Sequence, residues 1–376
     1  MFLVTVFLVI ISFPIMNDQL KLVKDIASSE NRQMASRPVM DFTHMDTYMP
    51  KYETFYNDNF SIRSLMMKYF NILNLRLFKK SPLPDKVVIG RNNWLFMANE
   101  ELDVYKGINR FNDAELEAFR REFEYRKAYL EARGGKFYFM VAPVKPSIYP
   151  EYMPSTIYQV NAQSWGEQLI GYLDRNSECK PVNVYDILRE NKGNELLYNK
   201  LDNHWTEVGA FYCAVEVLTR LREDFPGIVI PSLEDYTITT TEINTGNIVS
   251  MISNIGKFTD YAYRMEPKSG FKAKKVKSSK YPVTEGFPYP WDFEHDLEIP
   301  GSDKPRILLI TDSFGERIMP FIAEGFSRSV KIFDAWQYKL NEDIINSEKP
   351  DVVLVITLES SLRSLLEYRS TLTVTK

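Results

Sequence analysis

The chain has 376 residues, enough for one large domain or two with a substantial hydrophobic core. Its formal net charge of −4, with no long run of like charges, argues against bulk binding to nucleic acid. The 24 phenylalanines, 22 tyrosines and 5 tryptophans fit a well-packed core first and sugar-binding sites second.

The N-terminal segment, MFLVTVFLVIISFPIM, carries no charge over its sixteen residues. As a helix it would span about 24 Å, slightly less than the hydrocarbon core of a bilayer at about 30 Å. A buried core helix is the alternative, although an apolar chain terminus rarely packs in that way. We expect residues 1–16 to form an export signal or a membrane anchor, with the folded part outside the cytoplasm.

The following elements are first helical and then alternate between strand and helix. Residues 17–80 are predicted to form an amphipathic helical lead-in. The next predicted segments, in order, are a hairpin of two short strands at 87–96, a helix at 112–133 capped by Asn112, a buried strand at 136–141, a helix at 163–173, a short strand at 182–184 and a helix at 208–221.

The last third of the chain repeats this alternation after an interruption. Its predicted segments are a strand at 307–310, a helix from about 316, a strand at 330–333, a helix, a strand at 352–356 and a terminal helix from 360. The alternation predicts an α/β fold, a mostly parallel sheet with helices on both faces. Residues 224–304, rich in Thr, Pro, Gly and Lys, are predicted to form a loop-rich insertion before the strand at 307–310.

Ser313 is the first candidate for chemistry, because it follows the strand at 307–310 at a turn into a helix. Ligands of α/β sheets gather beyond the carboxyl ends of the strands. Free N–H groups at the start of a helix would stabilise an oxyanion there. A serine at this place is equally compatible with a plain helix N-cap.

Asp202 and His204 are the second candidate, two positions apart and therefore on the same side of an extended backbone. Asp202 could hold one ring nitrogen of His204 while the other takes the proton of Ser313. A structural acid–histidine pair is the alternative. The chain has only three histidines, and the presence of both segments at the ends of β-α elements favours catalysis.

Three neighbouring residues are candidates for substrate binding. Lys145 and Tyr149 lie in the proline-rich loop after the strand at 136–141, and Trp205 follows His204. Solvation or packing is the alternative for each. Cys179 and Cys213 could pair or remain buried thiols. The sequence has no metal-ligand spacing and no phosphate-binding glycine loop, so no cofactor is expected.

A set of motifs in order along the chain resembles the alginate O-acetyltransferase family, the AlgX/AlgJ-like branch of the SGNH-hydrolase-like proteins. These motifs are Asn31-Arg32 with Pro38, the segment DNFSIR at 58–63, Val88-Ile89-Gly90 with Trp94-Leu95-Phe96, Pro143-Val144-Lys145 with Tyr149-Pro150, the segment YNKLDNHW at 198–205, and Asp312-Ser313-Phe314. The chain departs from the family pattern at Thr311, where glycine is usual, and at Ser360, where arginine usually follows the glutamate.

The resemblance implies an SGNH-hydrolase-like catalytic domain at 81–376, with Ser313 as nucleophile, His204 as base and Asp202 as its orienting carboxylate. It implies O-acetylation of an exported polysaccharide through an acetyl-serine intermediate, in the periplasm or at the inner membrane. A multispanning membrane acyltransferase is the implied acetyl donor. Two alternatives stay open: a carbohydrate acetyl-esterase using the same site, and a non-catalytic polysaccharide-binding or scaffold protein of an export machinery.

Overall fold

The computed structural model describes residues 2–24, 34–77, 80–193, 195–252, 257–277 and 280–370. Asn31 and Arg32, which belong to the first motif, lie outside these residues. The N-terminal part contains three helices: α1 (Phe2–Leu20), α2 (Met45–Asn59) and α3 (Arg63–Leu77). Within the described residues, α1 is the one helix long and apolar enough to cross a membrane, judged by length and composition. Most of its side chains are exposed.

Outside 182–184 and 224–304, the remaining helices and strands follow the predicted alternation. In chain order the strands are β1 (Val87–Ile89), β2 (Leu95–Met97), β3 (Lys136–Ala142), β4 (Tyr236–Ile243), β5 (Asp260–Pro267), β6 (Lys274–Lys275), β7 (Glu294–Glu298), β8 (Arg306–Ile310), β9 (Arg328–Ile332) and β10 (Val352–Leu358). The further helices are α4 (Glu100–Lys106), α5 (Asp113–Glu131), α6 (Lys145–Ile148), α7 (Trp165–Asn176), α8 (Tyr185–Glu190), α9 (Glu207–Arg222), α10 (Asn247–Met251), α11 (Gly315–Ala323), α12 (Glu342–Glu348) and α13 (Leu362–Glu367).

A six-stranded sheet in the order β3-β10-β8-β9-β7-β6 forms the centre of the fold. Its first four strands are parallel, and β7 and β6 extend it antiparallel at one edge. Alternate residues of these strands enter two separate cores, one shared with α8, α9 and α11 and the other with α5, α7, α12 and α13. Burial of both faces explains why β3, β8 and β10 are nearly continuous apolar runs, whereas β9 also contains Ser329 and Lys331. The predicted α/β fold is confirmed.

The start of α5 is specified by a reciprocal cap. The Asn112 side chain accepts a hydrogen bond from the Glu115 N–H at 3.0 Å, and the Glu115 carboxylate accepts one from the Asn112 N–H at 2.9 Å. These bonds satisfy donors that the first helical turn leaves free. The helix predicted at 112–133 is therefore present with the predicted cap.

The strand predicted at 182–184 is absent. Val182 makes a single parallel bridge to Met140, its N–H donating to Phe139 at 2.7 Å. The Asn183 side chain then accepts from the Tyr185 N–H at 3.0 Å, where α8 begins. The chain therefore turns into a helix before a second ladder pair can form.

The segment 224–304 is only in part an insertion. Its β4 and β5 pair with each other along eight residues, whereas β6 and β7 belong to the main sheet. The sequence of β7, Glu294-His295-Asp296-Leu297-Glu298, lacks an apolar pattern, which is why it was not predicted as a strand. Asp296 is buried there because Arg328 of the neighbouring β9 pairs with it at 2.6 Å.

Candidate active site

Ser313 lies at the carboxyl edge of the parallel sheet, in the turn between β8 and α11. Thr311, which stands where the family usually has glycine, is buried in this turn. A Cβ on Gly315 would come within 2.2 Å of the Thr311 methyl carbon, so the absence of a side chain at 315 makes room for Thr311. Ser313 itself is partly exposed at the mouth of the turn.

Asp312 fixes the turn that carries Ser313. Its buried carboxylate accepts hydrogen bonds from the Phe314 N–H at 2.8 Å, the Tyr338 hydroxyl at 2.6 Å and the Leu358 N–H at 2.8 Å. Burial raises the pKa of Asp312, and these hydrogen bonds oppose the rise. The carboxylate thus ties the turn after β8 to the loop after β9 and to the end of β10.

The structure brings Asp202, His204 and Ser313 into one chain of contacts. His204 Nδ1 lies 2.6 Å from Asp202 Oδ1, and His204 Nε2 lies 2.7 Å from Ser313 Oγ. The Phe314 ring packs on the imidazole, with the ring centres 4.8 Å apart. The carboxylate favours the tautomer with its proton on Nδ1, which leaves Nε2 free to accept the serine proton.

The second oxygen of Asp202 is held by the region 224–304. The Asn247 N–H, at the start of α10, donates to Asp202 Oδ2 at 2.8 Å. Gly246 precedes it with φ +156, and a Cβ there would lie 2.5 Å from the Leu201 carbonyl oxygen. Burial alone would raise the pKa of Asp202, but the hydrogen bonds from His204 and Asn247 outweigh it and hold the pKa below its usual range. Asp202 is therefore ionised at neutral pH.

The three residues predicted to bind substrate are buried beneath this arrangement. Lys145 and Trp205 are fully buried, and Tyr149 is 4% exposed. The Tyr149 hydroxyl accepts from the Leu197 N–H at 3.0 Å, and Trp205 packs on Phe314 with ring centres 4.9 Å apart. Contact with substrate is therefore not their role in this structure, since each side chain is enclosed by protein. The sequence could not reveal this, because a proline-rich loop is usually solvated.

Lys145 instead holds the backbone that carries Asp202. Its ammonium donates to the carbonyl oxygens of Asp202 at 2.7 Å, Asn199 at 2.9 Å and Lys200 at 3.2 Å. Burial lowers the pKa of Lys145, and attraction to the Glu101 carboxylate opposes the change. Burial likewise raises the pKa of Glu101, again opposed by Lys145. Glu101, which the sequence did not single out, lies in α4 and contacts the Asn203 side chain at 3.5 Å.

Glu359, directly after β10, is a buried carboxylate that holds the backbone of neighbouring segments, as Lys145 does. Its carboxylate accepts from the Gly166 N–H at 2.8 Å, the Val144 N–H at 3.1 Å and the Ser147 hydroxyl at 3.0 Å. It therefore joins the end of β10 to the loop after β3 and to the start of α7.

The two cysteines do not form a disulfide in this structure. Cys179 and Cys213 are free, buried thiols, and burial raises the pKa of Cys179 to about 12. The part of the chain that the structure describes contains no group of three or more His, Cys, Asp or Glu side chains arranged to hold a metal ion.

A parallel sheet covered on both faces, with contacting Ser, His and Asp side chains at its carboxyl edge, defines a class of α/β proteins built like the SGNH hydrolases. The model of one family, described as the SGNH hydrolase-like domain of the acetyltransferase AlgX, matches residues 87–319. The chain belongs to this family.

Individual relatives agree with this placement. A probable alginate O-acetylase AlgJ of Pseudomonas aeruginosa is 26% identical over 178 residues, which are 46% of this chain and 42% of that protein. The match therefore spans less than half the length of this curated relative. Among solved structures, Bacillus cereus PatB1 aligns with a TM-score of 0.55 at 18% identity, over 73% of this chain and 96% of that one. The O-acetyltransferase domain of Pseudomonas putida AlgJ aligns with a TM-score of 0.50 at 15% identity, over 74% and 92%. At these identities the two structures share the fold.

Proposed function

We propose that this protein is an O-acetyltransferase that acts on an exported polysaccharide through an acetyl ester of Ser313. The observation that carries the proposal is the contact series from Asp202 through His204 to Ser313, at 2.6 and 2.7 Å. Both contacts are within the reach needed for proton transfer. Membership of a family described by an acetyltransferase supports transfer as the reaction.

In the first half-reaction, His204 Nε2 takes the proton of Ser313 as Ser313 Oγ attacks the carbonyl carbon of an acetyl donor. The Ser313 N–H, at the turn into α11, is the proposed donor to the oxyanion. The leaving group of the donor takes the proton back from His204, and acetyl-Ser313 remains.

In the second half-reaction, His204 takes a proton from a sugar hydroxyl, which attacks acetyl-Ser313. The ester bond to Ser313 breaks, the acetyl group moves to the sugar, and Ser313 Oγ regains the proton from His204. Asp202 keeps the imidazole oriented and stabilises its positive charge in both steps.

The partial exposure of Ser313 favours one second candidate, an acetyl-esterase. Water that reaches acetyl-Ser313 would release acetate by the same second half-reaction. The two activities share every proposed catalytic side chain and differ in the group that attacks the acyl-enzyme.

The exposed, apolar α1 supports a location outside the cytoplasm, with α1 as export signal or membrane anchor. A membrane acyltransferase that presents acetyl groups on the same side of the membrane is the proposed donor. The Pseudomonas aeruginosa relative is a probable alginate O-acetylase.

The acyl-enzyme is directly testable. The full chain in detergent is incubated with p-nitrophenyl acetate, quenched in acid, digested and analysed by mass spectrometry. The peptide that contains Ser313 should gain one acetyl group, and Ser313→Ala should remove the adduct with little effect on thermal unfolding, since no core side chain is lost. Ser269→Ala, at an exposed serine elsewhere, is the matched control and should retain the adduct. An adduct that persists in Ser313→Ala refutes the assignment.

A further inference from the structure

A group of exposed aromatic side chains lies at the same edge of the sheet as Ser313. Trp291 is 72% exposed, Tyr289 is 36% exposed and Trp336 is half-buried. The Tyr289 and Trp291 ring centres are 5.7 Å apart, and those of Tyr289 and Trp336 are 6.3 Å apart. We call these three residues the aromatic platform. Isolated exposed aromatics are ordinary, but a contiguous exposed group marks a binding surface.

The platform rests on buried rings and is therefore a fixed surface. Trp336 packs edge-on against Phe333 at 5.0 Å, and against Phe287 at 6.1 Å. Phe287 and Phe333 are both buried. The Phe333 N–H donates to the Phe293 carbonyl at 2.8 Å, which holds the segment before β7 against the end of β9. Aromatic rings fixed in this way lose little conformational freedom when a ligand binds.

Sheet topology places this platform beside the nucleophile. β9 is parallel to β8 and adjacent to it, and Ile332 pairs with Ile310, so the residues after both strands emerge together. β7 runs antiparallel to β9 with Glu294 opposite Ile332, which brings residues 289–293 to this edge. β7 and β8 are two strand spacings apart, roughly 10 Å.

One hydrogen bond joins the loop after β9, which carries Trp336, directly to the turn that carries Ser313. The Tyr338 hydroxyl donates to Asp312 Oδ2 at 2.6 Å, two residues along the chain from Trp336. The Tyr338 carbonyl accepts from Arg126 of α5 at 2.8 Å, which anchors the loop from the other side. Ala335, Trp336 and Tyr338 all have positive φ, between +46 and +58, a strained conformation for non-glycine residues. The surrounding contacts hold the backbone at Trp336 in this conformation.

We propose that the aromatic platform is the acceptor subsite, on which a pyranose ring of the polysaccharide stacks while a hydroxyl of the same polymer reaches acetyl-Ser313. The inference rests on the proposed function. Pyranose rings present C–H faces that pack on aromatic rings while their hydroxyls stay in water. Of the carboxylates near the platform, Asp292 pairs with the Lys331 ammonium at 2.6 Å and Asp334 accepts a hydrogen bond from the Thr284 hydroxyl. The stacking surface itself consists of the three aromatic side chains.

The first arm of the test measures binding without chemistry. Isothermal titration of oligomannuronate and of a cello-oligosaccharide is carried out on full-length Ser313→Ala, and on the same protein with Trp291→Ala added. For whichever of the two sugars binds, Trp291→Ala should raise the dissociation constant about tenfold. Trp291→Phe should restore most of the affinity. Tyr69→Ala, an exposed aromatic of α3, is the control and should leave binding unchanged. Failure of both sugars to bind, or equal binding with and without Trp291, overturns the platform.

The second arm separates this inference from the proposed function. In otherwise unaltered protein, Trp291→Ala should raise the KM for the acceptor about tenfold. It should leave the rate at which p-nitrophenyl acetate acetylates Ser313 unchanged. A loss of Ser313 acetylation in this variant overturns the subsite, because the aromatic would then support the nucleophile rather than the acceptor. Absence of acetyl-Ser313 in unaltered protein refutes the proposed function, and the binding arm then still decides the platform by itself.

Discussion

Replacement of Lys145 by methionine tests whether a buried ammonium holds the active-site backbone in place. Methionine keeps the apolar stem but removes hydrogen bonds to the carbonyl oxygens of Asn199, Lys200 and Asp202. The carbonyl oxygens of Asn199 and Asp202 lose this hydrogen bond at about 1 to 3 kcal/mol each, partly offset because the ammonium is no longer desolvated, whereas that of Lys200 keeps a backbone N–H donor. Glu101 loses an attracting charge as well, but burial raises its pKa to about 7, so it can take up a proton. We expect a loss of about 2 to 4 kcal/mol in unfolding free energy.

The same substitution should lower kcat more than it raises the KM for the acetyl ester. Asp202 and His204 lie on the backbone that Lys145 holds, and a misplacement of about 1 Å can cost about a hundredfold in rate. Urea unfolding and steady-state kinetics on the full chain measure both effects. Lys272→Met, at an exposed lysine, is the control and should change neither.

A double variant identifies the source of the loss. Adding Glu101→Gln to Lys145→Met removes the unpaired carboxylate, so part of the stability should return while kcat stays low. The reasoning is refuted if Lys145→Met unfolds within about 1 kcal/mol of the unaltered protein and keeps its kcat. A purely structural role would instead show as lost stability with an unchanged kcat in the folded fraction.

Three further predictions follow from the structure. His204→Ala should reduce acetylation as severely as Ser313→Ala, and Asp202→Asn less but still by orders of magnitude; a His204→Ala variant that releases p-nitrophenol at the rate of the unaltered protein would exclude base catalysis by His204. Burial alone would raise the pKa of Glu348, yet Arg328, Lys280 and Tyr281 hold it at about 2, below its ordinary 4.5. A lowered carboxyl pKa adds stability that is lost as pH falls from 4.5 toward 2, so the stability difference between unaltered protein and Glu348→Gln should shrink by about 3 kcal/mol across that window; a constant difference contradicts this. Alkaline phosphatase fused to the C-terminus should be active, because the fold is proposed to be exported; an inactive, cytoplasmic fusion would refute export.

The sequence predicted the parts of the fold that local patterns determine. Three of the four parallel strands, β3, β8 and β10, are nearly apolar runs because both faces are buried, and α5 starts at a reciprocal cap between neighbours in sequence. β7 was not predicted because its charged residues depend on tertiary contacts, such as those of Asp296 and Glu298 with Arg328 of β9. The strand expected at 182–184 does not form, because α8 starts at Tyr185, three residues after the single bridge of Val182.

In the candidate site, too, residues in local motifs were predicted, and residues placed by tertiary packing were not. Asp202, His204 and Ser313 were predicted because each lies in a short motif at the end of a β-α element, and the structure brings them into contact. Lys145 was expected at the substrate, but its burial depends on packing across α4 and the loop at 199–202, which no local pattern records. The bond from Asn247 to Asp202 likewise depends on tertiary placement of the region 224–304, although the Gly246-Asn247 turn was a visible signal.

Acetyl transfer to a sugar is the most direct measurement of the central claim. The full chain in detergent is incubated with p-nitrophenyl acetate, with and without oligomannuronate or cello-oligosaccharide, while free acetate and acetylated sugar are quantified. A parallel incubation contains acetylated glycan without p-nitrophenyl acetate. The account predicts slow release of acetate alone, faster ester turnover with an acceptor, acetyl groups on that sugar, and none of these with Ser313→Ala. Fast acetate release from acetylated glycan, with no gain from an acceptor and no acetylated sugar, would contradict transfer and establish the esterase.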